Sequence, residues 1–498
     1  METHSLATVC QESNTMRPDP CRPINIVGAG LAGPLLALML ARRGFSVVLY
    51  EKRSDPRRVR TQRGRSINLT LAARGINALE RAGVMSTVAS RLIPMRGRMV
   101  HTTSRRSILQ LYGQREHEVI YSIQRVVLQR ILIEETARYP NITIRFDQQC
   151  IAADPKENRL TFRDKTHGKE YSVELAPTIA TDGANSAVRA SLVERGYLAA
   201  CFDMLDHGYK ELTLPSFAGG YALNSDALHL WPRGDFMLVA MPNLNCNMTA
   251  TLFLKNTGPV SFAALKDSQG VSEFFNREFP DAVPRIQNLT EQFSSNPQSR
   301  LGTVSVKPWQ TLGAVLLLGD AAHAIVPFYG QGVNAAFEDC VVFDSLLDKH
   351  EQWAPLFLDF EKVRRADTNA IAQMSLENYM ELSAAVLQPD FVLRKFLELE
   401  LERRFPDRFI PQYSMVTFHP EISYAQAQQR GKIQEDILAE LTLGESKSAQ
   451  HRLGITDFAL AARLIHEKLP VLACGSAPNN DSSAKWHDIS RRPELIRS

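Results

Sequence analysis

Cysteine is scarce in this chain. Seven residues, at 10, 21, 150, 201, 246, 340 and 474, are scattered over 498 positions, with no C-x-x-C pair and no metal-ligand spacing. The odd number and the scatter exclude a disulfide framework or a zinc module and point to reduced thiols in an intracellular protein. Long apolar runs are missing too: no stretch approaches the roughly 18 apolar residues that a membrane-crossing helix needs. The best late segment, Phe458–Cys474, is interrupted by Arg463, His466, Glu467 and Lys468, and could at most lie on a membrane surface. Residues 1–22 have neither the apolar centre of a signal peptide nor the Arg-rich, acid-poor make-up of a transit peptide, and read as a flexible tail. Internal repeats and low-complexity tracts are absent. A net charge of only +3 gives no global signal for nucleic acid. With 44% hydrophobic and 22% charged residues, the composition is that of a soluble globular protein of two or three domains.

Against these absences stands one organised stretch, Val315–Asp339. Val315–Leu318 is a short apolar run and reads as a buried strand. It stops at Gly319-Asp320, which puts a carboxylate at the strand's C-terminal end, the edge where open α/β sheets bind ligands. Pro327, Gly330 and Gly332 mark a loop, after which Ala336, Phe337, Cys340, Val341 and Phe343 recur at helical spacing over 334–347. Glycines ahead of a helix let backbone N–H groups close on a ligand, and the helix start carries partial positive charge. A carboxylate for a hydroxyl-bearing chain and a positive dipole for an anionic ring edge are what the ribityl and isoalloxazine parts of FAD require. Taken alone, the segment also fits an ordinary strand–loop–helix.

A second unit lies near the N-terminus. The strand Ile24–Val27 runs into Gly28-Ala-Gly30-Leu31-Ala32-Gly33, then a helix over 35–43, then a strand over 46–50 that ends on Glu51. Strand, glycine turn, helix and an acid about 20 positions on make the dinucleotide fingerprint. Its glycines permit a tight turn and close approach to a pyrophosphate, and Glu51 suits the adenosine ribose hydroxyls. A third unit, Ile179–Arg189, is a strand ending in Asp182-Gly183 with a helix from about Ser186, a residue able to cap it. Between the second and third motifs and Val315, the strand-like runs 208–214, 227–231, 236–241 and 247–254 have short connections, with a turn at Pro232–Asp235. The result is an α/β fold: a Rossmann-like FAD-binding domain from 23–200 and 301–350, and an inserted antiparallel sheet, 201–300, walling a substrate pocket. A helical region, 351–443, completes that pocket, and 444–498 is polar and without periodicity. Sixteen Arg and one Lys against five acidic residues in Glu51–Arg130 suit anionic cofactors and substrates, although a solvated basic face accounts for most of them. No second dinucleotide unit is visible, so a nicotinamide reductant is expected to dock transiently.

In order and spacing, Gly28–Glu51, Asp182-Gly183 and Gly319-Asp320 resemble the three motifs of the FAD-dependent aromatic hydroxylases, the single-component flavoprotein monooxygenases. A narrower resemblance, to the kynurenine 3-monooxygenase family, runs from about Ile24 to Phe418. It rests on RGRSINL (Arg63–Leu69), MRGRMVH (Met95–His101), HGYKELT (His207–Thr213), LHLWPRGDFMLVAMPN (Leu228–Asn243), GDAAHAIVPFYGQGVNAAFEDC (Gly319–Cys340) and PQYSMVTF (Pro411–Phe418). The resemblance implies non-covalent FAD, NADPH as a transient reductant and O2. It implies hydroxylation of L-kynurenine to 3-hydroxy-L-kynurenine through a flavin C4a-hydroperoxide, in tryptophan catabolism toward NAD. It implies a grip on the substrate's amino-acid end by Arg98, Tyr112, Asn378 and Tyr413, with Phe328 in the same pocket. FAD contacts would come from Gly28, Gly30, Leu31, Ala32, Gly33, Tyr50, Glu51, Lys52, Arg53, Thr70, Arg125, Asp182, Ala187, Asp320, Gly332, Val333 and Asn334. No protein acid or base is called for, because the aniline nitrogen activates the ring, and His323 is expected to pack or to support Asp320. By the same resemblance the setting is the cytosolic face of the mitochondrial outer membrane, otherwise the cytoplasm. Two departures stand out: Tyr329 replaces a second Phe common among relatives, and the apolar C-terminal helix of the animal enzymes is not evident. A hydroxylase of another aromatic acid, and a flavin-binding redox sensor or scaffold, remain as alternatives.

Overall fold

The computed structural model describes residues 22–58, 68–104, 107–175, 177–384, 388–442 and 457–472. Most of the Arg63–Leu69 string, the N-terminal tail up to residue 21, and the C-terminal stretch apart from 457–472 lie outside them. A six-stranded sheet runs in the order Gln310–Thr311, Val315–Leu317, Thr178–Ala180, Ile24–Val27, Val47–Tyr50, Ile142–Arg145. Its neighbours are parallel except for the Gln310–Thr311 edge. The strands are apolar because they lie in one buried cluster with residues of the helices Ala32–Arg42 and Gly332–Leu346, leaving Ile24, Ile26 and Leu316 wholly buried. Register settles what distance in sequence conceals. Val27 pairs with Ala180, and Ala180 with Leu317, so Gly28, Asp182 and Asp320 follow three adjacent strand ends.

The second sheet has seven strands, in the order Ser299–Lys307, Ala199–Leu214, Met248–Lys255, Met237–Pro242, Ala227–Pro232, Gly97–His101, Ser107–Leu111. Here the structure departs from an inserted sheet confined to 201–300. Gly97–His101 and Ser107–Leu111 join from the first segment, and Gly97–His101 pairs in parallel with Ala227–Pro232, setting Arg98 opposite Leu228. Such a partner, more than a hundred residues away, leaves no local signal. Side chains alternate across the sheet. Trp231 and Leu252 pack under the helices Ser268–Glu278 and Leu289–Ser295, while Leu228, Leu230, Val239 and Phe253 face the other way. A three-stranded meander, Gln148–Asp154, Arg159–Asp164 and Glu170–Glu174, was also unanticipated.

The helices Trp353–Ser383, Pro389–Arg404, Gln412–Phe418 and Tyr424–Thr442 form the C-terminal part. A further helix, Phe458–Lys468, corrects the reading of everything beyond 444 as aperiodic. Asp457 caps it by accepting from the Ala459 and Leu460 N–H groups. Its apolar residues Ala461, Leu464 and Ile465 recur at three- and four-residue intervals and are buried with Leu397, Leu401, Ile437 and Leu438. That face is spent inside the fold rather than offered to a membrane. The four cysteines among the described residues, at 150, 201, 246 and 340, are unpaired.

Candidate active site

The three strand ends open onto a cavity of about 430 Å³ that continues between the two sheets to the C-terminal helices. At the first end, Gly28 has φ +108, and a Cβ there would come within 2.7 Å of the Asp182 Cα and the Thr181 carbonyl. A Cβ on Gly33 would lie 2.1 Å from the Gly28 carbonyl oxygen, so these two glycines serve close packing of turn, helix and strand. Gly30 has nothing within 4 Å of that position and lines the cavity with Leu31 and Ala32. Glu51 is 5% exposed; its Oε2 accepts from the Ala29 N–H (2.8 Å) and its Oε1 from the Arg53 N–H (2.9 Å). The carboxylate therefore braces the glycine turn, with one lone pair per oxygen left for a ribose. Tyr50 is turned into the core, stacked on Phe162 at 4.2 Å, whereas Lys52 and Arg53 are exposed outside the cavity.

Asp182 lies half-buried beside the turn. Its Oδ2 accepts from the N–H groups of Ala187 (2.7 Å) and Val188 (3.2 Å), and Ser186 accepts from the Arg189 N–H, so both cap the helix Ala187–Glu194. The other oxygen, Oδ1, is buried without a hydrogen bond, and burial pushes the carboxyl up. The neighbouring Gly183 and Ala184 line the cavity. At the third strand end, Gly319 adopts φ 64 and gives its N–H to Asp339 Oδ2 at 2.9 Å. Asp320 lines the cavity, half-buried, and its carboxylate takes no hydrogen bond from the described residues. His323 does not reach the cavity. It is buried against Trp309, with Nε2 2.6 Å from Asp339 Oδ2. Asp339 Oδ1 accepts from Arg364 Nε at 2.8 Å, Arg364 also pairs with Glu338 at 2.7 Å, and Glu338 pairs in turn with Arg74. Burial would raise the Asp339 carboxyl, but His323 and Arg364 outweigh it and hold it below the usual range.

The helix Gly332–Leu346 starts at the cavity, which Gly332 and Val333 line. Its first-turn N–H groups have no acceptor within the helix. The Asn334 side chain is fully occupied elsewhere: Oδ1 accepts from the Ala72 N–H, and Nδ2 donates to the carbonyls of Thr70 and Gly330, each at 2.9 Å. Thr70, which lines the cavity, also donates to the Gly330 carbonyl. Arg125 stands exposed at the rim, at the start of the helix Arg125–Thr136. An open glycine edge, two helix starts and an unpartnered carboxylate between them fit the pyrophosphate, ring edge and ribityl chain of FAD.

At the far end the walls are apolar, from Leu228, Leu230, Met237, Val239, Phe253 and Phe328. The polar groups there include Arg98, Tyr112, Asn378 and Tyr413, gathered from two strands' ends and two helices. Arg98 is 11% exposed; Nε donates to Gln110 Oε1 (2.8 Å) and Nη2 to Glu381 Oε1 (3.1 Å), leaving three of its five N–H groups uncommitted by these bonds. Glu381 and Gln110 were not anticipated. Glu381 follows Asn378 by three positions on one helix, which puts both on one face, a signal available to sequence reading. Asn378 Nδ2 donates to the Phe328 carbonyl at 2.7 Å and so fixes the turn Pro327–Tyr329. Tyr413 lies between the rings of Tyr112 (5.4 Å) and Tyr329 (5.6 Å), both nearly parallel to it. Arg300 and Tyr209, also unanticipated, line the same cavity.

Residues 22–356 match a family model described as an FAD binding domain. The kynurenine 3-monooxygenase of Xanthomonas oryzae pv. oryzae (strain KACC10331 / KXO85) is 42% identical over 458 residues, spanning 92% of this chain and 99% of that protein. The one from Stenotrophomonas maltophilia (strain K279a) is 42% identical over 452 residues, 91% of this chain and 98% of its own. Among solved structures, 2-methyl-3-hydroxypyridine-5-carboxylic acid oxygenase superposes with a TM-score of 0.58 at 21% identity, covering 75% of this chain and 95% of that one. The p-nitrophenol 4-monooxygenase of Pseudomonas putida DLL-E4 gives 0.60 at 16%, covering 76% and 93%. These two share the fold. The relatives are bacterial, and among the described residues no helix is long and apolar enough to cross a membrane, so the mitochondrial outer-membrane setting finds no support.

Proposed function

The chain belongs to the kynurenine 3-monooxygenases, FAD-dependent aromatic hydroxylases, and from that premise we propose that it hydroxylates L-kynurenine beside the ring amino group, consuming NADPH and O2. The observation that carries the substrate reading is Arg98: a guanidinium almost shut off from water, gathered with Tyr112, Asn378 and Tyr413 on a cavity whose other walls include Leu228, Leu230, Met237 and Phe328. When bound, FAD supplies hydride acceptance from NADPH and the activation of O2; the chain's own residues bind, orient and keep the site dry.

Asp320 would accept the ribityl hydroxyls. The helix starts at Leu31–Gly33 and Gly332–Asn334 would face the pyrophosphate and the negative edge of the reduced ring, with Asn334 holding the second start in place through Thr70 and Gly330. The substrate's carboxylate would pair with the free N–H groups of Arg98, with the Tyr112 and Tyr413 hydroxyls beside it and the remaining amide N–H and oxygen of Asn378 within the same end. This binding is remote from the ring carbon that reacts, so its use is orientation. The ring then lies among Leu228, Leu230, Met237 and Phe328, side chains that exclude water. The aniline nitrogen activates the ring, so His323 and Asp339 remain structural.

FAD-loaded protein is expected to oxidise NADPH faster with L-kynurenine than with aromatic acids that lack an amino-acid tail, and to yield the hydroxylated amino acid. Equal stimulation by the tailless acids would favour a hydroxylase of another substrate; flavin binding without any stimulation would favour a sensor or scaffold. Asp320→Ala is expected to weaken FAD by about 1.5–3 kcal/mol, the worth of hydrogen bonds to a charged acceptor. Flavin titration of the apoprotein measures this, and an unchanged Kd would remove Asp320 from the cofactor site.

A further inference from the structure

The helix Gly332–Leu346 starts on a stretch with little stiffness of its own. Gly330 takes φ 68, Gly332 has no side chain, and both line the cavity. Glycines leave the backbone many conformations, so the start must be fixed by side chains around it. Thr70 and Asn334 hold the Gly330 carbonyl. The second hold comes from the C-terminal part. Gln331, between the two glycines, is 2% exposed, and its Oε1 accepts from the Tyr424 hydroxyl at 2.9 Å. Tyr424 is wholly buried at the first position of the helix Tyr424–Thr442. The Arg74 guanidinium lies over its ring at 4.0 Å and donates to the carbonyls of Val416 (3.3 Å), His419 (3.4 Å) and Ile422. Asp367 Oδ1 accepts from the N–H of the next residue, Ala425, at 2.9 Å. Burial pushes the Tyr424 phenol up, so it stays a neutral donor. Neither Tyr424 nor Gln331 lines the cavity, and the mechanism above uses neither.

We propose that Tyr424 is a positioning residue for the flavin: through Gln331 it holds the start of the helix Gly332–Leu346 against the ring edge, and so sets how strongly the reduced ring is preferred over the oxidised one. This rests on the reading that this helix start faces the ring edge of bound FAD. The N–H groups of a first helical turn have no acceptor within the helix and carry partial positive charge. That charge acts on a ring that has gained negative charge and little on the neutral, oxidised one. Stabilisation of this kind depends on donors that are already in place and do not reorganise. A start free to tilt on two glycines loses it. Tyr424 supplies the fixity from outside the cavity, where its ring is clamped by a cation and its hydroxyl spans to Gln331, and it takes no room from the substrate.

The test is the midpoint potential of the bound flavin. Tyr424→Phe removes one oxygen and keeps the ring under Arg74. The two-electron potential is expected to fall by about 30 mV, a ten-fold weaker preference for the reduced form. The Kd of the apoprotein for oxidised FAD is expected to stay within about two-fold, because only differential affinity moves the potential. Gln331→Ala is expected to give the same fall, and the double variant no more than either alone, since each removes the same link. A merely structural role would lower stability to denaturant and leave the potential where it was. An unchanged potential in either variant would overturn the proposal, and so would loss of oxidised FAD or falls that add in the double variant. The reading it rests on fails separately: if Asp320→Ala leaves FAD affinity unchanged, the cofactor placement goes first, and turnover of L-kynurenine tests the substrate independently of both.

Discussion

Arg364→Leu is expected to destabilise the protein by about 3–5 kcal/mol at neutral pH, the cost of leaving a buried charge without its partner. Arg364 is 1% exposed and bonds Asp339 at 2.8 Å and Glu338 at 2.7 Å. Glu338 keeps Arg74, but Asp339, wholly buried, would be left with His323 and the Gly319 N–H. The sign of the pH dependence follows. In the unaltered protein the Asp339 carboxyl is held below its ordinary range, so its stabilisation is complete above that range and is lost as pH falls through the depressed value. In the variant, burial acts with less opposition, the carboxyl titrates higher, and the stability gap between the two proteins narrows as the pH is lowered. Denaturant unfolding at neutral and acid pH measures both. A gap below about 1 kcal/mol at neutral pH would mean that Asp339 finds relief elsewhere. The consequence reaches function, because Asp339 fixes Gly319 and so the residue after it, Asp320. FAD affinity is expected to fall along with stability.

The second large effect is Arg98→Lys, expected to lower kcat/KM for L-kynurenine by about 2–5 kcal/mol, the range for a desolvated charge pair broken from one side. Lysine keeps the charge but not the planar fork, and it cannot serve Gln110, Glu381 and a carboxylate together. Because this contact is proposed to orient the ring, the variant is expected to divert more of its NADPH to H2O2. The ratio of hydroxylated product to NADPH oxidised is the readout, with flavin content as the check on the cofactor site. Unaltered KM and unaltered coupling would make Arg98 a structural partner of Glu381 and nothing more.

The end of the cavity proposed for FAD was legible as structure because its signals are local. Strand, glycine turn, helix and acid fall within Ile24–Glu51, and a strand with a terminal carboxylate followed by a glycine-led helix falls within Val315–Asp339. The roles of individual side chains were less legible. Asn334 looks like a ligand by position, yet its amide is spent on Ala72, Thr70 and Gly330. Asp182 looks like a flavin contact, yet one of its oxygens caps a helix. The end proposed for the substrate is assembled by long-range pairing. Arg98 reaches the cavity because its strand joins Ala227–Pro232, and a register between segments so far apart cannot be read from either one alone. Glu381 was missed because a lone glutamate on a long helix has the pattern of a solvated face until the Arg98 strand is set against it.

The most direct measurement is turnover of L-kynurenine with NADPH under heavy-isotope O2, with the product identified by mass. The expected product is hydroxykynurenine carrying one heavy oxygen on the ring, formed nearly in step with NADPH oxidation. NADPH consumed with H2O2 as the only product, or a hydroxylated product without the label, would contradict the assignment of this cavity to kynurenine hydroxylation.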